Sequence, residues 1–330
     1  MRVLIVRIGA MGDVLHAMPA VSAMKELHPD WEIGWVVEPR WSVLLGEPLV
    51  DHTFLAATKE WGRNIFSGSS VAGVMGLRRE LRAEKFDLCV DMQGSIKSAV
   101  VGRMAGAKRF VGMAAPRERQ AAWLYGERVK VSAVHVIEQG CELLGAAIGE
   151  TLRPAKVALP VDAEAEIWCD QVVDGLFVLM APRAGWGAKE WPPERFGAVA
   201  AELGARGIKT LVNAVSVEDA VAARVVEASE GAARAVPCSL AEMVALTRRT
   251  ALVIAGDTGP LHLAAALERP VVGLYGPTDP ARNGPYGTKS VVLRDPSSVT
   301  DHSRVAESGL MGIGVEAVVE AALDSLHSHS

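Results

Sequence analysis

Short apolar runs alternate along this chain with stretches whose apolar positions recur every three or four residues. Residues 2–8 read as a buried strand. Residues 14–27 set Leu15, Met18, Val21 and Leu27 mostly on one side of a helix, and His28-Pro29-Asp30 ends it. A strand at 33–38, a short helix at 41–46 and a helix at 71–83 follow. A strand at 87–94, a helix at 95–105 and a strand at 108–113 complete the first half. This alternation predicts a parallel sheet with helices on both faces.

Residues 152–163, with Pro154 and Pro160, read as a connection. The pattern then restarts, with helices at 163–173, 193–205, 218–229, 240–250 and 260–267. Strands at 175–182, 208–215, 251–257 and 270–276 lie among and after them, and 315–326 is the last helix. Two α/β halves emerge, with a boundary near 155–175; a single doubly wound domain is the competing arrangement. Two halves would offer a cleft between the carboxyl ends of their strands, where ligands prefer to bind.

Composition narrows the class. The 330 residues are half apolar and 22% charged, as in a globular protein with room for one large domain or two ordinary ones. A net charge of -5 argues against a nucleic-acid partner but leaves room for a local basic patch. The four cysteines, Cys89, Cys141, Cys169 and Cys238, are dispersed, which implies neither a disulfide framework nor a metal site. No secretory leader and no membrane-spanning run are expected, and the setting is cytoplasmic.

Four stretches could carry chemistry. RIGAMGDVLHAMP holds Gly9, Gly12 and Asp13 where a strand meets a helix. Its G-x-x-G spacing is not the dinucleotide fingerprint, although Glu38 stands where a ribose-binding acid would. The glycines permit a tight turn and close ligand approach. Asp13 has two readings, helix N-cap or general base, and both stay open on these residues. GDTGPLHLAAALERPVVGLYGPTDP brings Asp257, Thr258 and Gly259 to a strand exit ahead of a helix with Pro260 in its first turn, a ready site for phosphate. His262 follows one turn on, either as part of that site or as an ordinary histidine. Lys189, in a loop after a strand, could neutralise a leaving phosphate. Lys59, Arg63, Lys97, Arg103, Arg117 and Arg119 are either a common charged surface or a patch for an anionic substrate.

In their order along the chain, RIGAMGDVLHAMPA, DMQGSIKSA, KEWP, GDTGPLHLAAALERP and YGPTDP resemble the bacterial heptosyltransferases of lipopolysaccharide inner-core synthesis (glycosyltransferase family 9). The likeness is strongest to the heptosyltransferase I branch, and it runs from Met1 to about Tyr286. It implies an α/β GT-B fold with two Rossmann-like domains facing across a cleft. The expected bounds are 1–160 for the acceptor domain and 161–310 for the nucleotide-sugar domain. Residues 311–330 would form a helix crossing back to the first domain, and the tail.

The resemblance also implies inverting transfer of L-glycero-D-manno-heptose from ADP-heptose to a Kdo residue of Kdo-lipid A, without cofactor or dedicated metal. Asp13 matches the catalytic base. Lys189, Asp257, Thr258, Gly259 and His262 match the donor site, and Glu218 is expected at the adenosine ribose. Lys59, Trp61, Arg63, Asp91, Gln93, Lys97, Arg117 and Glu118 match the acceptor side. The expected enzyme is a monomer in a Gram-negative bacterium, in peripheral contact with the cytoplasmic face of the inner membrane, where its lipid-anchored anionic acceptor lies.

The chain departs from the family at LVNAVSVEDA, where a glycine and acidic residues are usual, and at GRNIFSG, which is less basic. A related transferase with another donor or a later core acceptor is the alternative. A non-catalytic nucleotide-binding protein of the same fold is another, and the presence of Asp13 argues against it.

Overall fold

The structure, a computed structural model, describes residues 1–64, 67–300 and 308–327. The last three residues of the tail lie outside the described residues. Its contacts divide the chain into two units, 1–160 and 161–330.

The first unit is a six-stranded sheet of β1 (Arg2–Val6), β2 (Glu32–Val37), β3 (His52–Leu55), β4 (Leu88–Asp91), β5 (Arg109–Met113) and β6 (Glu127–Val129). Its helices are α1 (Met11–Leu27), α2 (Thr58–Trp61), α3 (Gly68–Ala83), α4 (Ile96–Ala105) and α5 (Val136–Ile148). The strand order is β3-β2-β1-β4-β5-β6, and every pair is parallel. β1 is wholly apolar after Arg2 because helices cover both its faces; Val3, Leu4, Ile5 and Val6 are fully buried.

The second unit repeats the plan with β7 (Phe177–Ala181), β8 (Lys209–Ala214), β9 (Ala233–Pro237), β10 (Leu252–Gly256), β11 (Val271–Tyr275) and β12 (Ser290–Arg294). α6 (Ala163–Val172), α7 (Pro193–Gly204), α8 (Ala220–Ala228), α9 (Leu240–Arg249) and α10 (Gly259–Ala266) lie among them. α11 (Pro280–Asn283), α12 (Ser308–Gly312) and α13 (Val315–His327) complete the unit. The order β12-β11-β10-β7-β8-β9 is again all parallel. Trp191, Phe196 and Val199 fill the core on one face.

α13 packs on α7 and on β10, β11 and β12, and buries Val318, Val319, Ala321 and Ala322 in the second unit's core. α13 is thus an integral part of the second unit.

Each sheet reverses direction of strand order once, between β1 and β4 and between β7 and β10. The loops leaving two neighbouring strands diverge at such a point, and the gap between them admits ligands.

Candidate active site

At the first switch point, the loop after β1 is tied to the loop after β4. The Gln93 Oε1 accepts from the Ile8 N–H at 2.7 Å and from the Gly9 N–H at 3.4 Å. Arg7 donates through one Nη to the Met92 carbonyl. Its other Nη meets Asp13 Oδ1 at 2.7 Å, and its Nε donates to the Asp13 carbonyl at 3.0 Å.

α1 begins at Met11, three residues earlier than its apolar period suggested. Asp13 is therefore not the N-cap. It sits in the first turn and accepts from the Ala10 N–H through Oδ2 at 3.0 Å. Its side chain stays 37% exposed, which leaves access for a substrate proton. Gly12 lies inside that helix, so the turn does not depend on it. In the neighbouring loop after β4, Gly94 does adopt the left-handed conformation, at φ +70°, where a Cβ would also crowd Pro116 and the Arg117 N–H.

Behind this loop lies Asp91, fully buried. It accepts from the Gln93 N–H (2.9 Å), the Gly94 N–H (3.1 Å), the Ser98 hydroxyl (2.9 Å) and the Tyr125 hydroxyl (2.8 Å). Burial pushes its carboxyl up, and these four bonds oppose that. Asp91 was expected to line the acceptor side; its bonds are instead internal, and they shape the loop that presents Gln93.

The remaining acceptor-side residues divide. Lys59, Arg63, Lys97, Arg117 and Glu118 are exposed. Trp61 is half-buried against Gly73 and the first core. Glu118 accepts from the Ile96 N–H at 2.8 Å and so supports the start of α4, next to Lys97. The Lys97 ammonium lies beside Gly62, which joins it to the 59–63 segment. Glu38, offered above for a ribose, is buried. It caps α2, accepting from the Thr58 hydroxyl at 2.6 Å and the Lys59 N–H at 2.9 Å.

At the second switch point, Lys189 reaches Asp257. Its Nζ is 2.5 Å from Oδ2, and His262 Nε2 is 2.9 Å from Oδ1. The Asp257 side chain is only 4% exposed. Burial alone would raise its carboxyl; the His262 and Lys189 partners outweigh that and hold it well below the usual carboxylate range. Gly256 makes the approach possible, since a Cβ there would come within 2.9 Å of the Lys189 carbonyl. Thr258 is the N-cap of α10, yet its hydroxyl bonds back to the Gly256 carbonyl at 3.2 Å and leaves the helix end without a side-chain cap. That end carries partial positive charge suited to phosphate.

Glu218 is exposed in the turn before α8, whereas its neighbour Asp219 is buried. Asp219 takes Arg183 bidentately, at 2.7–2.9 Å, and caps α8 through the Val221 and Ala222 N–H groups. Burial would raise the Asp219 carboxyl, but Arg183 and the backbone donors bring it down to about 2. Sequence reasoning missed Arg7, Arg183 and Asp219. The S-x-E-D-A run held the one available signal, an acidic residue directly ahead of a helix. Among the described residues no three His, Cys, Asp or Glu side chains are grouped to hold a metal.

Known proteins resemble this chain in sequence and in fold. The glycosyltransferase family 9 (heptosyltransferase) model matches residues 74–309. Lipopolysaccharide heptosyltransferase 1 of Salmonella typhimurium is 30% identical over 306 residues, covering 90% of this chain and 95% of that protein. The solved E. coli heptosyltransferase WaaC with ADP aligns over 98% of this chain and 100% of its own, at TM-score 0.84 and 27% identity. The form with ADP-2-deoxy-2-fluoro heptose aligns over 98% and 99%, at TM-score 0.81 and 27% identity. The α/β architecture is accordingly of the GT-B type. With matched sequence across most of its length and the same fold throughout, this chain belongs to glycosyltransferase family 9, the heptosyltransferases.

Proposed function

We propose that this heptosyltransferase moves L-glycero-D-manno-heptose from ADP-heptose to a Kdo residue of Kdo-lipid A, with inversion and without a dedicated metal. The observation that carries this is the pair of switch-point sites: an accessible carboxylate, Asp13, in one unit and a fixed Lys189–Asp257–His262 group at a helix start in the other. The similar solved structures named with ADP and with a fluorinated ADP-heptose support that donor. The acceptor oxygen attacks the anomeric carbon, the bond to the diphosphate breaks, and the acceptor's proton passes to Asp13. Lys189 and the start of α10 offset the charge on departing ADP. Lys59, Arg63, Lys97 and Arg117 attract the acceptor's anionic groups, and Glu218 meets the ribose. A turnover screen of nucleotide sugars with deacylated Kdo-lipid A tests the whole. ADP-heptose alone should be consumed, and the product linkage should be inverted; preference for another donor or a heptose-bearing acceptor would overturn the assignment.

A monomer in peripheral contact with an anionic membrane belongs to the same proposal. Val71 and Met75 on α3, Ile96 and Val100 on α4, and Trp123 in the turn Arg119–Leu124 are 42–77% exposed. α4 packs against both other elements, and Lys97, Arg103 and Arg119 are exposed on these elements. Apolar side chains with basic neighbours suit a lipid headgroup region. No described helix is long and apolar enough to cross a membrane. Flotation with anionic but not neutral liposomes is expected; equal flotation with neither would remove the contact.

A further inference from the structure

Arg7 follows β1 directly, and its backbone is held from the side of β2. The Arg7 N–H donates to the Val36 carbonyl at 3.3 Å, and the Trp35 indole N–H donates to the Arg7 carbonyl at 3.1 Å. Its side chain is held from the side of β4. One Nη donates to the carbonyl of Met92, the residue just past that strand. The other Nη and Nε take Asp13, through Oδ1 at 2.7 Å and through its carbonyl at 3.0 Å. Each nitrogen of one rigid, planar group thus has its own acceptor, and the side chain is only 15% exposed.

Such a pair can have either of two duties. It can merely join two loops, or it can fix the carboxylate that it meets. An exposed ion pair does little of either, because both side chains swing. Here the guanidinium cannot follow a swinging carboxylate, since two of its bonds go to backbone carbonyls. The second carboxylate oxygen is anchored separately, by the Ala10 N–H at 3.0 Å. One bond on each oxygen stops the carboxylate from turning, yet leaves each oxygen a lone pair to offer. The Asp13 side chain stays 37% exposed, so that capacity is open to a substrate. A base works only within hydrogen-bond reach of its proton, and a misplacement of about 1 Å can cost about 10²-fold in rate.

We propose that Arg7 is a positioning residue for the general base. It holds the Asp13 carboxylate in one orientation relative to the ends of β1 and β4, and does not itself touch the reacting atoms. This rests on the reading of Asp13 as the base. Arg7→Lys would keep the charge, but a single ammonium cannot serve the Asp13 carboxylate, the Asp13 carbonyl and the Met92 carbonyl in one plane.

Turnover of ADP-heptose with deacylated Kdo-lipid A, both saturating, tests this in the parent, Arg7→Ala, Asp13→Asn and the double variant. Arg7→Ala should lose about 10²-fold in kcat, while its ADP affinity by calorimetry stays near the parent value. Arg7→Lys should recover part of that loss. The double variant should be no slower than Asp13→Asn alone, because without a base there is nothing to position. Losses that multiply in the double variant would mean that Arg7 acts independently of Asp13, and would overturn the proposal. Unchanged kcat in Arg7→Ala would overturn it as well. Near-normal kcat in Asp13→Asn would remove the base from the proposed function, and the positioning role with it. Should Arg7→Ala fold poorly, Arg7→Lys with and without Asp13→Asn gives the same comparison.

Discussion

The two switch points hold carboxylates in opposite conditions. Asp13 pairs with Arg7 through one oxygen and keeps a 37% exposed side chain. Asp257 is 4% exposed and shut between Lys189 and His262. A base must be reached by the group it deprotonates, so openness suits Asp13 to proton transfer. A carboxylate enclosed by two partners is a permanent charge. Asp257 stays ionised well below neutral pH and orients a lysine and a histidine, and it has no free face from which to take a proton. The same residue type at equivalent strand exits of two similar sheets thus stands in different conditions, set by what surrounds it.

Substitutions should separate the two. Asp13→Asn retains size and the bond from the Ala10 N–H, so the variant should fold and bind ADP. Its turnover at saturating substrates should fall about 10²–10⁴-fold, the usual value of a general base. Near-normal turnover would reduce Asp13 to a helix-supporting residue and erase the contrast. Asp257→Ala should act first on stability. It strands Lys189 and His262 beside an emptied position, and breaking a buried pair costs about 3–5 kcal/mol. Denaturant unfolding of the variant measures this, and a loss below about 1 kcal/mol would mean that the pair is no more than a surface bridge. Lys189→Ala should weaken ADP binding about tenfold in calorimetry while altering stability less than Asp257→Ala does. Unchanged ADP affinity would take Lys189 out of the donor site.

The smallest effect belongs to Asp219. Its folded value of about 2 lies below the ordinary 3.8, so its contribution is fully present above the ordinary value and is lost as pH falls through about 2. Stability against denaturant between about pH 4 and pH 2 should therefore decline less steeply in Asp219→Asn than in the parent protein. An equal decline would place the acid sensitivity elsewhere.

The strands divide into legible and illegible sets for one physical reason. Eight strands read from apolar runs are the inner ones, β1, β2, β4, β5, β7, β8, β10 and β11. The four unread strands, β3, β6, β9 and β12, are the edges of the two sheets. An inner strand of a parallel sheet is buried on both faces and must be apolar throughout. An edge strand is partly exposed: Glu127 and Arg128 in β6 are exposed, as are His52 and Thr53 in β3. Its place comes from the neighbour it pairs with, which local sequence does not record.

Fold class, the two-halved plan and the strand exits that carry Asp13 and Asp257 were determined by the sequence, because burial on both faces and glycine-containing strand exits leave their mark within a few residues of themselves. Only the tertiary structure decided the rest. It made Asp91 a buried support and kept Asp13 open, and it turned Glu38 into a helix cap. It put Asp219 at the start of α8 with Arg183 while Glu218 faces solvent, and it drew α13 into the second core. These outcomes depend on partners that are tens of residues away, such as Arg183 for Asp219 and Tyr125 for Asp91. The charge, access and hydrogen bonding of a side chain belong to the place where it is packed, and packing is a property of the folded chain.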